Sequence, residues 1–128
     1  MTDKAVGYLG IMRKANALAI GEKDSGAAVK GGKAKVLCLA LDASANAQKR
    51  AETFVYGRGT PLLRLPYEKA ELSARLGKPG CSMLCILDAG FASAFVSALA
   101  AGDAAAYGAV AEQLRDRNGK SGKRRNNV

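Results

Sequence analysis

Two short apolar runs constrain this chain more than anything else in it. Lys35-Val36-Leu37-Cys38-Leu39-Ala40-Leu41 is almost continuously apolar, and so is Ser82-Met83-Leu84-Cys85-Ile86-Leu87. Neither approaches the roughly 18 apolar residues of a membrane span. Turn or capping residues bound both: Gly32 and Asp42 around the first, Gly80 and Asp88 around the second. Short apolar runs without alternation are strands covered on both faces, and such strands need helices on both sides. The segments between them supply the helices. Ala5, Tyr8, Leu9 and Met12 share a helical face in a segment of about 3–18, and Ala19-Ile20-Gly21 interrupts it. A second short helix starts at Gly21 or Glu22 and ends at Gly31-Gly32, with Gly26 inside it at a cost of about 1 kcal/mol relative to Ala. Ala47, Ala51, Phe54 and Val55 stripe a third helix, capped by Asp42 or Ser44 and ended by Gly57-Arg58-Gly59. Pro61–Leu65 is a short strand, Tyr67–Leu76 a short helix, and Gly77-Lys78-Pro79-Gly80 a loop. Asp88 caps a helix carrying Phe91, Phe95, Ala98 and Leu99; Phe54, Phe91, Phe95 and Tyr107 are read as core. Alternating helices and buried strands imply an α/β domain, a three-layer α-β-α sandwich with a small central sheet of about four strands.

The 128 residues suffice for one domain. With 20 Lys and Arg against 11 Asp and Glu, the net charge of +9 points to a polyanionic partner. The charge is unevenly placed. A further helix opens at Gly102-Asp103 and carries Tyr107, Val110 and Leu114. From Arg115 to Val128 there are six basic residues against Asp116 alone, so this stretch holds five of the nine net charges. It has no apolar residue before Val128 and is read as a basic disordered tail, 115–128, following a single domain over 1–114. A tail of this kind adds loose electrostatic affinity, whereas recognition needs a shaped surface.

Composition also excludes chemistry. The chain has no His, which removes His-based acid–base catalysis, Ser-His-Asp and Cys-His nucleophile systems and His metal sites. It has no Trp and only 5% aromatic residues, too few to staff a stacked-aromatic platform such as an RNA recognition motif. Cys38, Cys81 and Cys85 are odd in number and form no CxxC pair, so neither a disulfide framework nor a zinc site is expected. Cys38 and Cys85 fall in the apolar runs as small hydrophobes, and Cys81, nearer a loop, is expected to be the more exposed. Carboxylate pairs such as Asp42 with Asp88 could meet at strand ends, but both sit at expected helix caps without a base or metal ligand. Gly77-Lys78 lacks the spacing of a phosphate-cradling loop. No catalytic residue, metal, cofactor or small-molecule substrate is expected. The Met1-Thr2-Asp3-Lys4 start lacks a secretory pattern, so the expectation is a soluble protein of a reducing cytoplasm with no membrane partner.

The order of segments resembles a known family. Gly21-Glu22 followed by a short helix, then Gly32-Lys33-Ala34-Lys35-Val36-Leu37, then Asp42-Ala43-Ser44-Ala45-Asn46 is similar to the YlxQ branch of the kink-turn RNA-binding ribosomal proteins, the L-seven-Ae superfamily. Leu76-Gly77-Lys78 and Leu87-Asp88-Ala89-Gly90-Phe91-Ala92 agree with it. The resemblance covers about residues 6–99; the last helix and the tail fall outside. It implies an α-β-α sandwich that binds a kink-turn, an internal loop that bends an RNA duplex sharply, with ribosomal RNA as the expected partner.

The resemblance places the RNA at the start of the second helix and at the loop before the last core strand. Here these are Gly21, Glu22, Lys23 and Asp24, and Lys78, Pro79, Gly80, Cys81 and Ser82. The chemistry suits the task. A helix N-terminus offers unpaired N–H groups to phosphates. Lys23 can meet a phosphate or a purine acceptor edge, and Asp24 can accept from a guanine N–H. Gly26, Ala27 and Ala28 leave a low surface, so Gly26→Leu is expected to damage binding more than folding. Lys33, Lys35 and Lys78 are expected to supply charge around the site, and Pro79-Gly80 to cover an extruded base. The archaeal and eukaryotic branch has Gly-x-Asn-Glu with a Lys one turn on; Lys23, Asp24 and Ala27 depart from it. That implies weaker binding or a shifted RNA preference. The alternative is an assembly module with a decayed site and unspecific, tail-driven RNA affinity. The faces carrying Arg13, Lys14, Lys49 and Arg50 are read as solvated.

Overall fold

The two apolar runs become the central strands of one sheet. The structure is a computed structural model; it describes residues 4–126, with side-chain surroundings through residue 118. The elements are α1 (Lys4–Lys14), β1 (Leu18–Ile20), α2 (Glu22–Lys30), β2 (Val36–Leu39), α3 (Ala45–Val55), β3 (Leu62–Arg64), α4 (Lys69–Leu76), β4 (Met83–Ile86), α5 (Ala89–Gly102) and α6 (Ala104–Asn126). The strand order is β1-β4-β2-β3. β4 runs antiparallel to both neighbours, and β2 is parallel to β3. Val36 faces Ile86 and Leu39 faces Met83, so the start of one central strand lies beside the end of the other.

All residues of β2 and β4 are buried, as doubly covered strands require. Their side chains alternate between two cores. Val36, Cys38, Leu84 and Ile86 join the core built with α1, α4, α5 and α6. Leu37, Leu39, Met83 and Cys85 join the smaller core under α2 and α3. This is the expected three-layer sandwich with a four-stranded sheet.

Polar residues at the expected places start the helices. Ser44 Oγ accepts from Ala47 N–H at 3.1 Å, and Asp88 Oδ1 accepts from Phe91 N–H at 2.8 Å. Asp42 does something else: its Oδ1 accepts from Lys69 N–H at 2.8 Å and so holds the start of α4. Asp42 follows β2 and Asp88 follows β4, and these strands are antiparallel, so the two carboxylates sit at opposite ends of the sheet. They do not meet at one strand end as a catalytic pair would need to.

Three expectations are corrected. The first helix stops at Lys14, not near Leu18. Asn16 takes the left-handed conformation (φ 58°), Ala17 N–H reaches Met12 O, and Asn16 N–H reaches Arg13 O. That is a Schellman end, with Asn in the role usually held by Gly, and it releases residues 18–20 to form β1. Second, the helix opened at Asp103 does not end near Leu114 but continues to Asn126. Tyr107, Ala111 and Leu114 bury one stripe of it, and Arg117 extends the docking by donating from Nη2 to Gly59 O at 3.0 Å. The backbone of the basic stretch is therefore helical as far as described; Asn127 and Val128 lie outside the described residues. Third, Phe95 and Tyr107 are buried, but Phe54 and Phe91 are only half-buried at the edges of their cores.

Candidate nucleic-acid interface

Gly21 joins β1 to α2 with φ 97° and ψ 162°, a conformation essentially confined to glycine. Its N–H donates to Met83 O at 2.8 Å, at the start of β4. Its own carbonyl accepts from Ser25 N–H, the first bond of α2. Buried Ser25 then fastens the helix from inside: its Oγ donates to Ala19 O at 3.4 Å, and its carbonyl accepts from Cys85 Sγ at 3.6 Å. Among the described residues no side chain caps α2, so the first-turn N–H groups of Glu22, Lys23 and Asp24 face outward with their partial positive charge. Lys23, Asp24 and Ala27 are exposed. Glu22 is half-buried because Arg50 Nη1 donates to its Oε2 at 3.1 Å, tying α2 to α3. Arg50 is therefore not merely solvated.

The second segment arrives at the same place. Gly77 ends α4 in the left-handed conformation, and Lys78, Pro79 and Gly80 stand exposed, Gly80 at φ 68°. Arg13 Nε donates to Leu76 O at 2.8 Å and pins the helix end that launches this loop; it too was read as solvated. Cys81 N–H donates to Ser73 Oγ, and Cys81 Sγ donates to Met83 O. Ser82, half-buried, accepts from Ala40 N–H through its carbonyl. The Met83 carbonyl thus receives both Gly21 N–H and Cys81 Sγ–H, and this one oxygen is the joint between the helix start and the loop.

Cys81 is buried, at 3% exposure, contrary to the expectation of an accessible thiol. Burial raises its pKa, while a backbone hydrogen bond with Met83 and the Lys78 cation pull it back. It anchors the loop from below and offers no side chain to a ligand. Lys33 and Lys35 are also placed differently from expectation. Lys35 N–H donates to Ile86 O, at the far end of β4 from Met83, and Lys33 lies beyond the C-terminus of α2. Neither stands beside Gly21 or Ser82. Ala28 faces the smaller core and Gly26 lies half-buried against the Phe54 ring, so Ala27 is the exposed member of that trio.

Two further residues, Leu41 and Arg64, stand at the Met83 end. Leu41, half-exposed, follows Ala40 at the rim. Arg64 fixes that rim, its Nη1 donating to the carbonyls of Ala40, Leu41 and Ala43 and its Nη2 to Gln48 Oε1. The signal for Leu41 was available: it is the last apolar residue before Asp42 in a run otherwise buried. Nothing local marks Arg64, because its partners come from another segment.

Among the described residues no group of three or more His, Cys, Asp or Glu converges as a metal site would require, and no helix is long and apolar enough to cross a membrane. No protein-family model matches the sequence. The chain is 33% identical over 90 residues to the RNA-binding protein YlxQ of Enterococcus faecium, covering 70% of this chain and 85% of that relative. It also resembles a solved structure from Bacillus halodurans, described as a protein of unknown function. That match has a TM-score of 0.69 and 23% identity, over 76% of this chain and 97% of the other, and it bears on the fold alone.

Proposed function

The chain belongs to the YlxQ family, and from that premise we propose that it is a non-catalytic RNA-binding protein that reads a sharply bent, kink-turn-like duplex, with ribosomal RNA as its target. The observation that carries this reading is the shared Met83 carbonyl, which holds the uncapped start of α2 against the 78–82 loop as one surface. Two segments of this kind can grip a bent backbone where either alone would be an ordinary turn. The free N–H groups of residues 22–24 meet a phosphate. Lys23 adds charge, and Asp24 accepts from a guanine edge. Lys78 supplies the charge on the loop side, and the exposed Pro79-Gly80 backbone closes over a base displaced by the bend. Glu22 is oriented by Arg50 and repels no phosphate at full strength.

The test is a titration of the full chain with a kink-turn RNA and with a matched duplex lacking the internal loop, at about 150 mM salt, where loose electrostatics are screened. The expected result is a clear preference for the kinked RNA and a loss of at least roughly tenfold, about 1.4 kcal/mol, on Lys23→Glu. Equal binding of both RNAs with a steep salt slope would replace this reading with unspecific attraction by the basic C-terminal stretch.

A further inference from the structure

The opposite end of the sheet carries a second surface that the reading above leaves unused. After α3 the chain turns through Tyr56-Gly57-Arg58-Gly59, and Tyr56 is 87% exposed. A ring held this far out offers a free face on which a planar group can stack. Beside it lies a cleft of about 630 Å³, whose polar lining includes Lys35, Arg58, Thr60 and Arg117 and no carboxylate. Both guanidiniums are anchored by backbone. Arg58 Nη1 donates to Lys30 O at 3.1 Å, and Arg117 Nη2 donates to Gly59 O at 3.0 Å. Among the described residues neither has an ion-pair partner, so each keeps further N–H donors in a held orientation for an anion.

Tyr56 and Arg58 also line a groove of about 460 Å³ between α2 and α3, and its α2 wall is Lys23, Gly26, Ala27 and Lys30. Lys23 and Lys30 are two helical turns apart, about 10 Å. The lining of groove and cleft, from Lys23 along α2 to Tyr56 and Arg117, holds no carboxylate; Glu52 borders Tyr56 only on the far side, in a shallower hollow with Lys49 and Thr53. We infer that this groove and cleft bind a single-stranded stretch of RNA, with an unpaired base stacked on Tyr56 and its flanking phosphates on Lys30, Arg58 and Arg117. The cations suit any phosphate, but their extension along α2 from Lys23 suits a polymer better than a lone nucleotide. Stacking on one ring is tolerant of base identity, so little sequence preference is expected. The choice of RNA as ligand rests on the function proposed above; apart from Lys23 at the boundary, the residues are different.

The test uses the full chain and five probes: a blunt kink-turn RNA, the same RNA with six unpaired nucleotides added at the 5′ end, the same RNA with them added at the 3′ end, hexauridylate, and uridine monophosphate as competitor. One extension is expected to tighten binding about tenfold. Tyr56→Ala and the Arg58→Gln/Arg117→Gln pair should each remove most of that gain and most hexauridylate binding, leaving blunt RNA within about twofold of wild type. Tyr56 is so exposed that its truncation leaves the fold intact, which circular dichroism checks. No gain from either extension, or a gain that survives both variants, overturns the inference. Displacement of hexauridylate by an equal concentration of the monophosphate also overturns it, in favour of a free-nucleotide site. Failure of the blunt RNA to bind counts against the kink-turn reading instead, and hexauridylate binding lost on Tyr56→Ala would still support the cleft.

Discussion

The two faces of the sheet are built differently. On one face, α1, α4, α5 and α6 press large side chains inward: Leu9, Met12, Leu72, Leu76 and Phe95 are all essentially inaccessible. On the other, α2 and α3 contribute Ala28, Val29, Ala47 and Ala51, and their largest side chain, Phe54, is only half-buried. The first face supplies most of the apolar burial and therefore most of the stability. The second is thin, and α2 is held by particular ties: Ser25 to Ala19 and Cys85, Gly26 under Phe54, Glu22 to Arg50. A helix held in this way can leave its N-terminus and outer face open. Recognition can therefore be placed on the thin layer without exposing the main core.

This contrast is open to direct attack. The largest expected effect is on the thick face: Phe95→Ala should cost about 3–5 kcal/mol in denaturant unfolding. A loss below about 1 kcal/mol would remove that face's claim to dominate stability. Next comes Gly26→Leu on the thin face. An added Cβ would lie 2.7 Å from Phe54 Cζ, so the expected loss is about 1–3 kcal/mol, with partial recovery when Phe54→Ala is added. The expectation that Gly26 serves binding more than packing fails if RNA binding of this variant falls no more than its stability, and absence of any recovery with Phe54→Ala would remove the packing account. Ser44→Ala and Asp88→Ala compare helix caps on the two faces. Each should cost about 1 kcal/mol, since capping depends on local geometry and not on the layer behind it. A difference above about 1 kcal/mol between them would show that the layers do modulate it.

The smallest effect is kinetic. Cys38 belongs to the thick face and Cys85 to the thin one. Burial raises both thiol pKa values, that of Cys85 to about 11, so both are protonated at pH 8 and react only when their layer opens. In a Cys81→Ala background, alkylation of Cys85 is expected to outpace that of Cys38 severalfold, read by mass spectrometry of digested protein. Equal rates would mean that the two layers open together. The same shifts set a sign for pH. Folded-state pKa values above the unfolded value of about 9 mean that the thiols' contribution to stability is intact below pH 9. It is lost as pH rises toward 11 for Cys85 and further for Cys38.

Much of the fold was legible because its signals are local. The burial of residues 36–39 and 83–86, the caps at Ser44 and Asp88, and the left-handed Gly77 all follow from residue types in short windows. β1 was not legible: three residues give no period, and the stop signal was an Asn where a Gly is usual. The extension of α6 was hidden because a run of Arg and Lys resembles a tail unless the carbonyl that docks Arg117 is known. Within the candidate site, the family resemblance names the glycine at the helix start and the 78–82 loop, but not their junction at Met83. The displacement of Lys33 and Lys35 to the other end was equally invisible, since it depends on the antiparallel pairing of β2 with β4.

The central claim is that the start of α2 and the 78–82 loop form one binding surface. Amide chemical-shift mapping of the full chain during titration with a blunt kink-turn RNA addresses it directly. The account requires the amides of Glu22, Lys23 and Asp24 and those of Lys78, Gly80 and Ser82 to shift together, along titration curves that give one dissociation constant. Shifts confined to residues 115–128, with the helix start and the loop unmoved, would contradict it.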